Sequence, residues 1–303
     1  MKKRILVTGG TGFLGSYIVQ KLLEDLNNEV SILDVKEFGE TKNDHSKVYS
    51  YIADIRDREK ITPLFLGMDH VFHIAGNIRT PETDRADLHS SINDIGTSNV
   101  LEACVKNDVK HLIYTSTCEV YGKVGHAIDE HAKIILENDY AKTKYSGEIS
   151  CRDYTKKYGL KTTIARLAYI YGHGQYENRL FPKLLNASLK ASGKYIEMSP
   201  SPGGYDFIYV KDAARGLIHL ASITPNLGSE IFNIGSDSFR TYRELFDIIA
   251  KLTKCKYKEN KDSKSSTQSV FFLSNEKIYK TGFKLDYDLY SGLQDYLKVL
   301  NQT

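Results

Sequence analysis

The 303-residue sequence has no tryptophan, only four cysteines and six prolines, and almost no excess of charge. The four cysteines lack CxxC spacing, so neither a zinc or other metal site nor a disulfide framework is expected. Its 41 basic and 38 acidic residues give a net charge of +3, which predicts no nucleic-acid partner. No apolar run approaches the roughly 20 residues of a membrane span. We therefore expect no membrane partner and a cytoplasmic protein.

The first half of the chain alternates short apolar runs with helical patterns. Strands are predicted at residues 4–7, 30–33, 48–52, 70–74, 111–114 and 162–166, and helices at 13–26, 93–106 and 140–158. This order predicts an α/β fold, with a doubly wound parallel-sheet Rossmann domain covered by helices on both faces. We expect that domain at residues 1–166 and a smaller C-terminal α/β substrate-binding lobe at 167–303. A strand near 230–234 would return to the Rossmann sheet.

A glycine-rich segment, Thr8 to Gly15, follows the first predicted strand and opens the first predicted helix. Glycines allow the backbone to turn tightly and to approach a pyrophosphate, which then binds at the helix N-terminus. This strand–turn–helix setting is the context that a dinucleotide site requires. The residues expected to form the site are Gly9, Gly12, Phe13, Leu14 and Gly15.

Two acidic residues follow the next two predicted strands. Asp34 comes 34 − 15 = 19 residues after Gly15, where a carboxylate accepts hydrogen bonds from the adenosine ribose and repels a 2′-phosphate. It favours NAD over NADP, whereas nearby Lys36 would attract the phosphate of NADP. Asp54, followed by Ile55, either contacts the adenine or forms an ordinary helix N-cap.

Tyr140 and Lys144 are spaced i, i+4 on a predicted helix, so they share one face. An ammonium beside a phenol lowers the phenol pKa from about 10, as a general base working near neutrality needs. Thr117 belongs to Thr115-Ser116-Thr117 at the end of the fifth predicted strand, beside the expected nicotinamide site. Its hydroxyl can bond the substrate oxygen whose carbon loses or gains a hydride.

Taken together, these motifs resemble the extended short-chain dehydrogenase/reductase family of NAD-dependent epimerases and dehydratases. The resemblance spans about residues 5 to 297. It also includes Ala53 to Asp57, His73 to Gly76, Asn93 with Gly96 to Leu101, Tyr114 to Gly122, Arg166 to Gly172, Asp206 to Asp212 and Phe232 to Gly235.

The resemblance implies roles for individual residues. Tyr140 would be the catalytic base, Lys144 its partner and a ribose ligand, and Thr117 the hydroxyl at the reacting oxygen. Ala75 and Asn93 would belong to the cofactor site, although plain helix capping is an alternative for Asn93. The implied reaction removes hydride from a sugar carbon, forms a keto intermediate and returns hydride to the other face. Members of the family often form homodimers through the helices that begin near Asn93 and Tyr140.

The sequence departs from the family at the substrate side. Cys118 replaces the aspartic acid of the 4,6-dehydratases, while the neighbouring Glu119 matches and is either catalytic or a loop carboxylate bonded to backbone. Tyr205 replaces the usual diphosphate-binding arginine, and Tyr169 replaces the family's asparagine. A diphosphate prefers Arg or Asn donors. Either the substrate carries no nucleotide, or it is held differently, through candidates such as Arg179, Lys183 and Lys194.

The favoured interpretation is an NAD-dependent nucleotide-sugar epimerase that acts on a sugar hydroxyl carbon. One alternative is a nucleotide-sugar decarboxylase or dehydratase that uses Glu119. Another is an NAD(P)-dependent dehydrogenase or reductase of a smaller alcohol or ketone. A non-catalytic NAD-sensing protein is a further alternative, but such a sensor has no need of Tyr140, Lys144 and Thr117.

Overall fold

The computed structural model describes residues 2–39, 48–80, 82–122, 126–191, 195–198, 203–224, 228–259, 269–270 and 272–301. The elements of the first half are β1 (Lys3–Thr8), α1 (Phe13–Leu22), β2 (Asn28–Asp34), β3 (Val48–Ile52), α2 (Arg58–Ile61), β4 (His70–His73), α3 (Ala86–His89), α4 (Thr97–Lys106), β5 (His111–Thr117), α5 (Asp139–Tyr158) and β6 (Lys161–Leu167). A π-helical segment, Ser90–Gly96, joins α3 to α4, and 3₁₀ turns cover Thr62–Phe65 and Cys118–Tyr121.

The second half contains shorter strands and four longer helices. Its elements are β7 (Tyr169–Tyr171), α6 (Leu180–Ala191), β8 (Tyr195–Met198), β9 (Gly203–Tyr209), α7 (Val210–Ile223), β10 (Ser229–Ile234), β11 (Phe239–Thr241), α8 (Tyr242–Thr253), β12 (Lys256–Glu259), β13 (Ser269–Val270), α9 (Glu276–Tyr279) and α10 (Leu289–Leu300).

Seven strands form one sheet in the order β10-β6-β5-β4-β1-β2-β3. The pairs from β3 through β6 are parallel. This is the Rossmann strand order, and its direction reverses between β1 and β4, where such folds bind dinucleotides beyond the carboxyl ends of the strands. The doubly wound α/β fold predicted from the sequence is confirmed.

The strands in the middle of this sheet are apolar on both faces. Helices cover those faces and exclude water from them. Leu6 of β1 and Leu112 of β5 are fully buried, in one cluster with Val100 and Leu101 of α4. Gly147 of α5 lets that helix approach the sheet, since a Cβ there would overlap the ring of Tyr114. The rigid sheet therefore fixes where its carboxyl-terminal loops begin.

Two helix boundaries differ from the sequence pattern. The first helix ends at Leu22 rather than at Leu26, whose side chain is 78% exposed. The Asp25 side chain accepts hydrogen bonds from the backbone and the side-chain amide of Asn27, and this local turn competes with further helix. The predicted helix at 93–106 begins earlier, because α3 and the π-helical segment precede it.

The chain groups into two compact units. The first consists of residues 1–122, 133–167 and 214–232, and the second of 123–132, 168–213 and 233–303. β10 lies at the edge of the seven-stranded sheet, where the backbone N–H of Thr162 donates to the carbonyl of Gly228 at 3.0 Å. In the second unit, β9 lies between β11 and β13 and also pairs with β7, while β8 pairs with β12.

Candidate active site

The glycine turn between β1 and α1 has no room for side chains. Gly9 has φ +74°, and a Cβ on it would lie 2.7 Å from the backbone nitrogen of Ala75. A Cβ on Gly15 would overlap the carbonyl oxygen of Gly9. Gly12 is the N-cap of α1, so no side chain covers the first amides of the helix beginning at Phe13. A tight turn that opens on a helix N-terminus is the geometry that a pyrophosphate-binding cradle requires.

Asp34 stands at the end of β2 and faces this turn. Its carboxylate accepts hydrogen bonds from the backbone N–H of Thr11 at 3.0 Å and of Val35 at 2.7 Å. These bonds fix the carboxylate beside the glycine loop, the place where a ribose diol would be bound. Lys36, two residues later, is exposed.

Asp54 and Ile55 follow β3. Arg56 bonds the carboxylate of Asp54, with a shortest N–O distance of 2.6 Å, and this hydrogen bond lowers the pKa of Asp54. The alternative that Asp54 caps a helix is wrong, since Asp57 caps α2 by accepting from the backbone N–H of Lys60. Ile55 is buried, and a Cβ on Gly96 would lie 2.5 Å from its Cδ1.

Asn93 connects the loop after β4 to helix α5. Its Oδ1 accepts from the backbone N–H of Asn77 at 2.7 Å, and its Nδ2 donates to the hydroxyl of Thr143 at 3.1 Å. The helix-capping alternative for Asn93 is wrong, because the residue lies inside the π-helical segment and is 2% exposed. Such segments are often found at functional sites. Ala75, in the same loop, donates its N–H to the carbonyl of Thr8.

Tyr140 and Lys144 lie one turn apart on α5. Lys144 is buried, and its Nζ lies 4.4 Å from the centre of the Tyr114 ring. Burial lowers the pKa of Lys144 to about 8, although Cys151 and Glu148 act in the opposite direction. Among the residues that the structure describes, no carboxylate forms an ion pair with Nζ. The ammonium can therefore donate to a phenolate and to a ribose.

Thr117 ends β5, as predicted, and is 7% exposed. Its hydroxyl oxygen accepts from the backbone N–H of Glu119 at 3.2 Å, which leaves the O–H proton for a substrate oxygen. One bond ties β5 to α5, since the hydroxyl of Tyr114 donates to the carbonyl of Lys144 at 3.2 Å. The structure thus anchors the strand of Thr117 to the helix of Tyr140.

A buried ion pair that the sequence analysis missed supports the same region. Glu148 of α5 and Arg166 of β6 are bonded twice, at 2.6 and 2.9 Å. Ser116 donates to Glu148 at 2.6 Å, and Arg166 donates to the hydroxyl of Tyr121 at 2.8 Å. These bonds hold the residues on both sides of Thr117. The signal in the sequence was Glu148 itself, an acidic residue one turn beyond Lys144.

His73 was also missed as a site residue. It is fully buried between two hydroxyls, with Nδ1 2.8 Å from Oγ1 of Thr8 and Nε2 3.0 Å from Oγ1 of Thr97. Burial, reinforced by the charge of Lys144, lowers the pKa of His73 to about 3. A neutral imidazole therefore links the end of β1, where the glycine turn begins, to α4.

Glu119 makes side-chain contacts rather than the backbone bond considered as its alternative. Its carboxylate accepts from Nδ2 of Asn138 at 2.9 Å and lies 3.4 Å from the guanidinium of Arg79. Asn138 is the N-cap of α5 and accepts from the N–H of Ala141. Cys118 is buried. Glu119 is thus held beside the first turn of the helix that carries Tyr140.

The substrate-binding candidates of the second unit include a cluster of tyrosines. The ring of Tyr205 lies 4.5 Å from that of Tyr169 and 5.7 Å from that of Tyr242, measured between ring centres. Arg240 of β11 lies directly opposite Tyr205 of β9 in the antiparallel register, so both side chains share one face of the sheet. The sequence analysis missed Arg240, because only strand pairing brings it beside the position that lacks arginine.

Two of the other cations proposed to hold the substrate, Arg179 and Lys183, lie at the start of helix α6. Arg179 precedes the helix and accepts, through its carbonyl, the N–H of Lys183 at 3.1 Å. Lys194 lies outside the described residues. Asp206, beside Tyr205, is a buried carboxylate that accepts from Ser236 and Leu273, and burial raises its pKa to about 6.

Comparison with known proteins identifies the family. The profile of the "NAD dependent epimerase/dehydratase family" matches residues 5–235. The chain belongs to this family. It is 31% identical to a putative UDP-glucose 4-epimerase of Methanocaldococcus jannaschii, over 99% of this chain and all of the relative. It is 30% identical to a UDP-N-acetyl-alpha-D-glucosaminuronate decarboxylase of Bacillus cytotoxicus, over 94% of this chain and 87% of the relative.

A solved structure of the family has the same fold. The UDP-N-acetylglucosamine 4-epimerase of Methanobrevibacter ruminantium, in complex with UDP-N-acetylmuramic acid, superposes with a TM-score of 0.86 at 26% identity, and all of both chains is covered. The resemblance stated from the sequence is therefore confirmed. The protein is an enzyme of the NAD dependent epimerase/dehydratase family, and its cofactor is NAD.

The described residues contain neither a metal-binding cluster nor a membrane-spanning helix. Within the described ranges, no group of three or more His, Cys, Asp or Glu side chains could hold a metal ion. The helices in that part of the chain are also too short or too polar to cross a membrane.

Proposed function

We propose that this member of the family is a nucleotide-sugar 4-epimerase, in which Tyr140 is the catalytic base. The observation that carries the proposal is the pairing, on one helix face, of Tyr140 with a buried Lys144. The positive charge of Lys144 stabilises a phenolate, so Tyr140 can accept the proton of a sugar hydroxyl near neutral pH. The named activities of the relatives support a UDP-sugar as the substrate.

The residues of the first unit have separate roles in this reaction. The glycine turn and Asp34 fit the pyrophosphate and ribose of NAD, which supplies the acceptor and donor of hydride when bound. Thr117 donates a hydrogen bond to the reacting oxygen. Tyr140 removes the proton as the keto group forms and returns it when the sugar is reduced on its other face. Because the proton and the hydride both return, the reaction needs no external oxidant.

The substrate would be held by the second unit. Tyr205 carries no positive charge to pair with a diphosphate, but its ring can stack on a base or a sugar. Arg240, across the strand pair, and Arg179 offer guanidinium groups for a diphosphate. If Tyr205 stacks on the base or sugar and the two arginines bind the diphosphate, a nucleotide sugar can bind although the family's usual arginine is a tyrosine.

Turnover of a panel of nucleotide sugars tests the proposal. The purified protein with NAD should convert UDP-glucose, UDP-galactose or their N-acetylated forms to the 4-epimer, detected by NMR, with no net gain of reduced nicotinamide absorbance. Tyr140→Phe should lower kcat by at least about 100-fold and leave NAD affinity nearly unchanged. Tyr145→Phe, on the same helix, is the matched control and should behave like wild type.

Other outcomes of the same panel would replace this function. Release of carbon dioxide from a UDP-uronic acid, abolished by Glu119→Gln, would establish the decarboxylase alternative. Net reduction of NAD by a small alcohol would establish the dehydrogenase. If Tyr140→Phe keeps near wild-type turnover, the proposed mechanism is wrong.

We also propose a homodimer formed through α4 and α5. These helices pack against each other. Ile95, in the π-helical segment just before α4, is 55% exposed, and Ile149 of α5 is 42% exposed. Covering such side chains with a second copy removes apolar surface from water.

We place the protein in the cytoplasm, supported by four free, buried thiols.

A further inference from the structure

His89 is a buried polar residue that the proposed mechanism does not use. Its side chain is 0% exposed, and the centre of its ring lies 5.7 Å from the centre of the Tyr140 ring. Its two nitrogens face polar partners, with Nδ1 3.1 Å from Nδ2 of Asn77 and Nε2 3.3 Å from Oδ1 of Asp84. The imidazole thus contacts a carboxylate and lies beside the ring of the proposed base.

The hydrogen bonds define the tautomer of this imidazole. Nδ2 of Asn77 also donates to the carbonyl of Thr83 at 2.9 Å, which identifies it as the amide nitrogen. An amide nitrogen only donates, so Nδ1 of His89 accepts. In the neutral ring the proton is then on Nε2, which donates to Asp84. Both nitrogens are satisfied in this arrangement, so the ring has one defined orientation.

Asp84 continues the chain of contacts back to α5. Its Oδ2 accepts from Nε of Arg79 at 3.1 Å, and the same guanidinium lies 3.4 Å from Glu119. Glu119 accepts from Asn138, the N-cap of α5, two residues before Tyr140. This series of contacts therefore begins at the Tyr140 ring and ends at the first turn of α5, the helix that carries Tyr140.

We propose that His89 is a positioning residue that holds the ring of Tyr140 beside Lys144. The hydrogen bond from His89 to Asp84 fixes the orientation of the imidazole that does this. The proposal rests on Tyr140 being the base. A tyrosine side chain has two rotatable torsions, and its phenolic oxygen must lie within hydrogen-bond distance of the sugar hydroxyl whose proton it accepts. An oriented imidazole against the ring restricts those torsions, so loss of its orientation should reduce turnover more than substrate binding.

Two substitutions separate the hydrogen bond from the packing. His89→Phe keeps an aromatic ring against Tyr140 but cannot donate to Asp84, whereas His89→Gln keeps an amide donor. We expect His89→Phe to lower kcat by about 10- to 100-fold with KM changed less than about threefold, and His89→Gln to recover most of the loss. His70→Phe is the control, since His70 packs against His111, away from these residues.

The pH dependence of kcat supplies a readout that loss of stability alone would not change. The charged groups of this series of contacts are Asp84, bonded to His89, Arg79, bonded to Asp84, and Glu119, which Arg79 also approaches. Asp139 and Lys144 lie on the helix of Tyr140 itself. If His89→Phe lets the phenol move away from Lys144, the acid limb of kcat should shift upward by about half a pH unit or more. UDP-glucose is the first substrate used, followed by whichever nucleotide sugar the panel identifies.

The outcomes distinguish this inference from the proposed function. Wild-type kcat and pH profile in His89→Phe, with Tyr140→Phe inactive, would overturn the inference alone. An equal loss in His70→Phe, or a lower melting temperature with an unshifted pH profile, would also overturn it. If Tyr140→Phe is active, or no nucleotide sugar is converted, the proposed function fails and the positioning role fails with it.

Discussion

Lys144 is a charged side chain that folding removes from water. Burial lowers its pKa from 10.5 to about 8, so the charged form is less stable in the folded protein than in the unfolded chain. The residue therefore reduces the stability of the protein without cofactor while it prepares the site for a phenolate and a ribose. This is the stability–function conflict that buried catalytic charges often show.

Lys144→Met should stabilise the cofactor-free protein. We expect the free energy of unfolding at pH 7 to rise by about 1–3 kcal/mol, because the cost of burying the ammonium is removed. Turnover and NAD affinity should both fall. Urea denaturation is the measurement, and Lys142→Met, at an exposed position of the same helix, is the control and should change stability little.

The pH dependence of that difference has a defined sign. The folded pKa of Lys144 lies below the unfolded value, so the destabilisation is full below pH 8 and disappears as pH rises toward 10.5. The stability advantage of Lys144→Met should therefore shrink across that interval. An advantage that is constant from pH 7 to pH 10.5 would show that the gain comes from packing instead.

Arg240 is the residue that we expect to replace the missing arginine at position 205. Arg240→Gln should weaken UDP binding by about 1–3 kcal/mol and leave uridine binding unchanged, because only UDP carries the charged phosphates. Adding Tyr205→Arg to this variant should restore UDP binding. Calorimetry measures both ligands, and Arg243→Gln, on the adjacent helix α8, is the matched control.

If neither UDP nor another nucleoside diphosphate binds the wild-type protein, the nucleotide-sugar assignment is contradicted. Wild-type affinity for UDP in Arg240→Gln would instead show that Arg179 or another cation holds the diphosphate. In that case Tyr205→Arg should still strengthen binding, because it introduces a guanidinium on the same face of the sheet.

At the level of elements, the ion pair Glu148–Arg166 joins α5 to β6 beneath the reactive residues. Both side chains are nearly unexposed, at 0% and 2%, so each charge depends on the other for compensation. Their additional bonds to Ser116 and Tyr121 connect them to the two ends of the Thr117 segment. The pair thus couples the helix of the base to the strand of the substrate-binding hydroxyl.

Glu148→Gln should destabilise the protein by about 3–5 kcal/mol, because Arg166 would remain buried with its charge uncompensated. Arg152→Gln is the control, since its nitrogen lies 3.8 Å from Glu148 and its side chain is 36% exposed. Chemical denaturation should show little change for that variant. A small effect of Glu148→Gln would mean that water reaches Arg166 or that the local packing relaxes.

At the level of the whole molecule, the proposed dimer depends on α4 and α5. Placing carboxylates at Ile95 and Ile149 together should convert the dimer to a monomer, because each interface would then bury unpaired charges. Sedimentation velocity measures the change. Ile52→Asp, at an exposed position of β3 on the far edge of the sheet, should leave the association unchanged. A wild-type monomer would contradict the dimer directly.

Much of the fold and of the geometry of the candidate cofactor site was predictable from local sequence. The alternation of apolar strands and amphipathic helices determines a parallel sheet, and the glycines from 9 to 15 can serve only a turn that excludes Cβ atoms. The i, i+4 spacing of Tyr140 and Lys144 follows from helix geometry alone. Each of these features depends on residues close together in the chain, where periodicity and backbone sterics act directly.

Tertiary structure decided the features that join distant segments. From the sequence, Asn93 could cap a helix or order the site through a helix contact. In the folded chain its side chain bonds Asn77 and Thr143, which are distant in sequence. Arg240 became a candidate only because β11 pairs with β9, 35 residues away by the register of 240 with 205. Contacts of this kind depend on packing and strand register, which local propensity does not encode. The sequence by itself therefore determined the Rossmann scaffold and the glycine turn that follows its first strand, while the fold decided which buried polar groups lie near Tyr140.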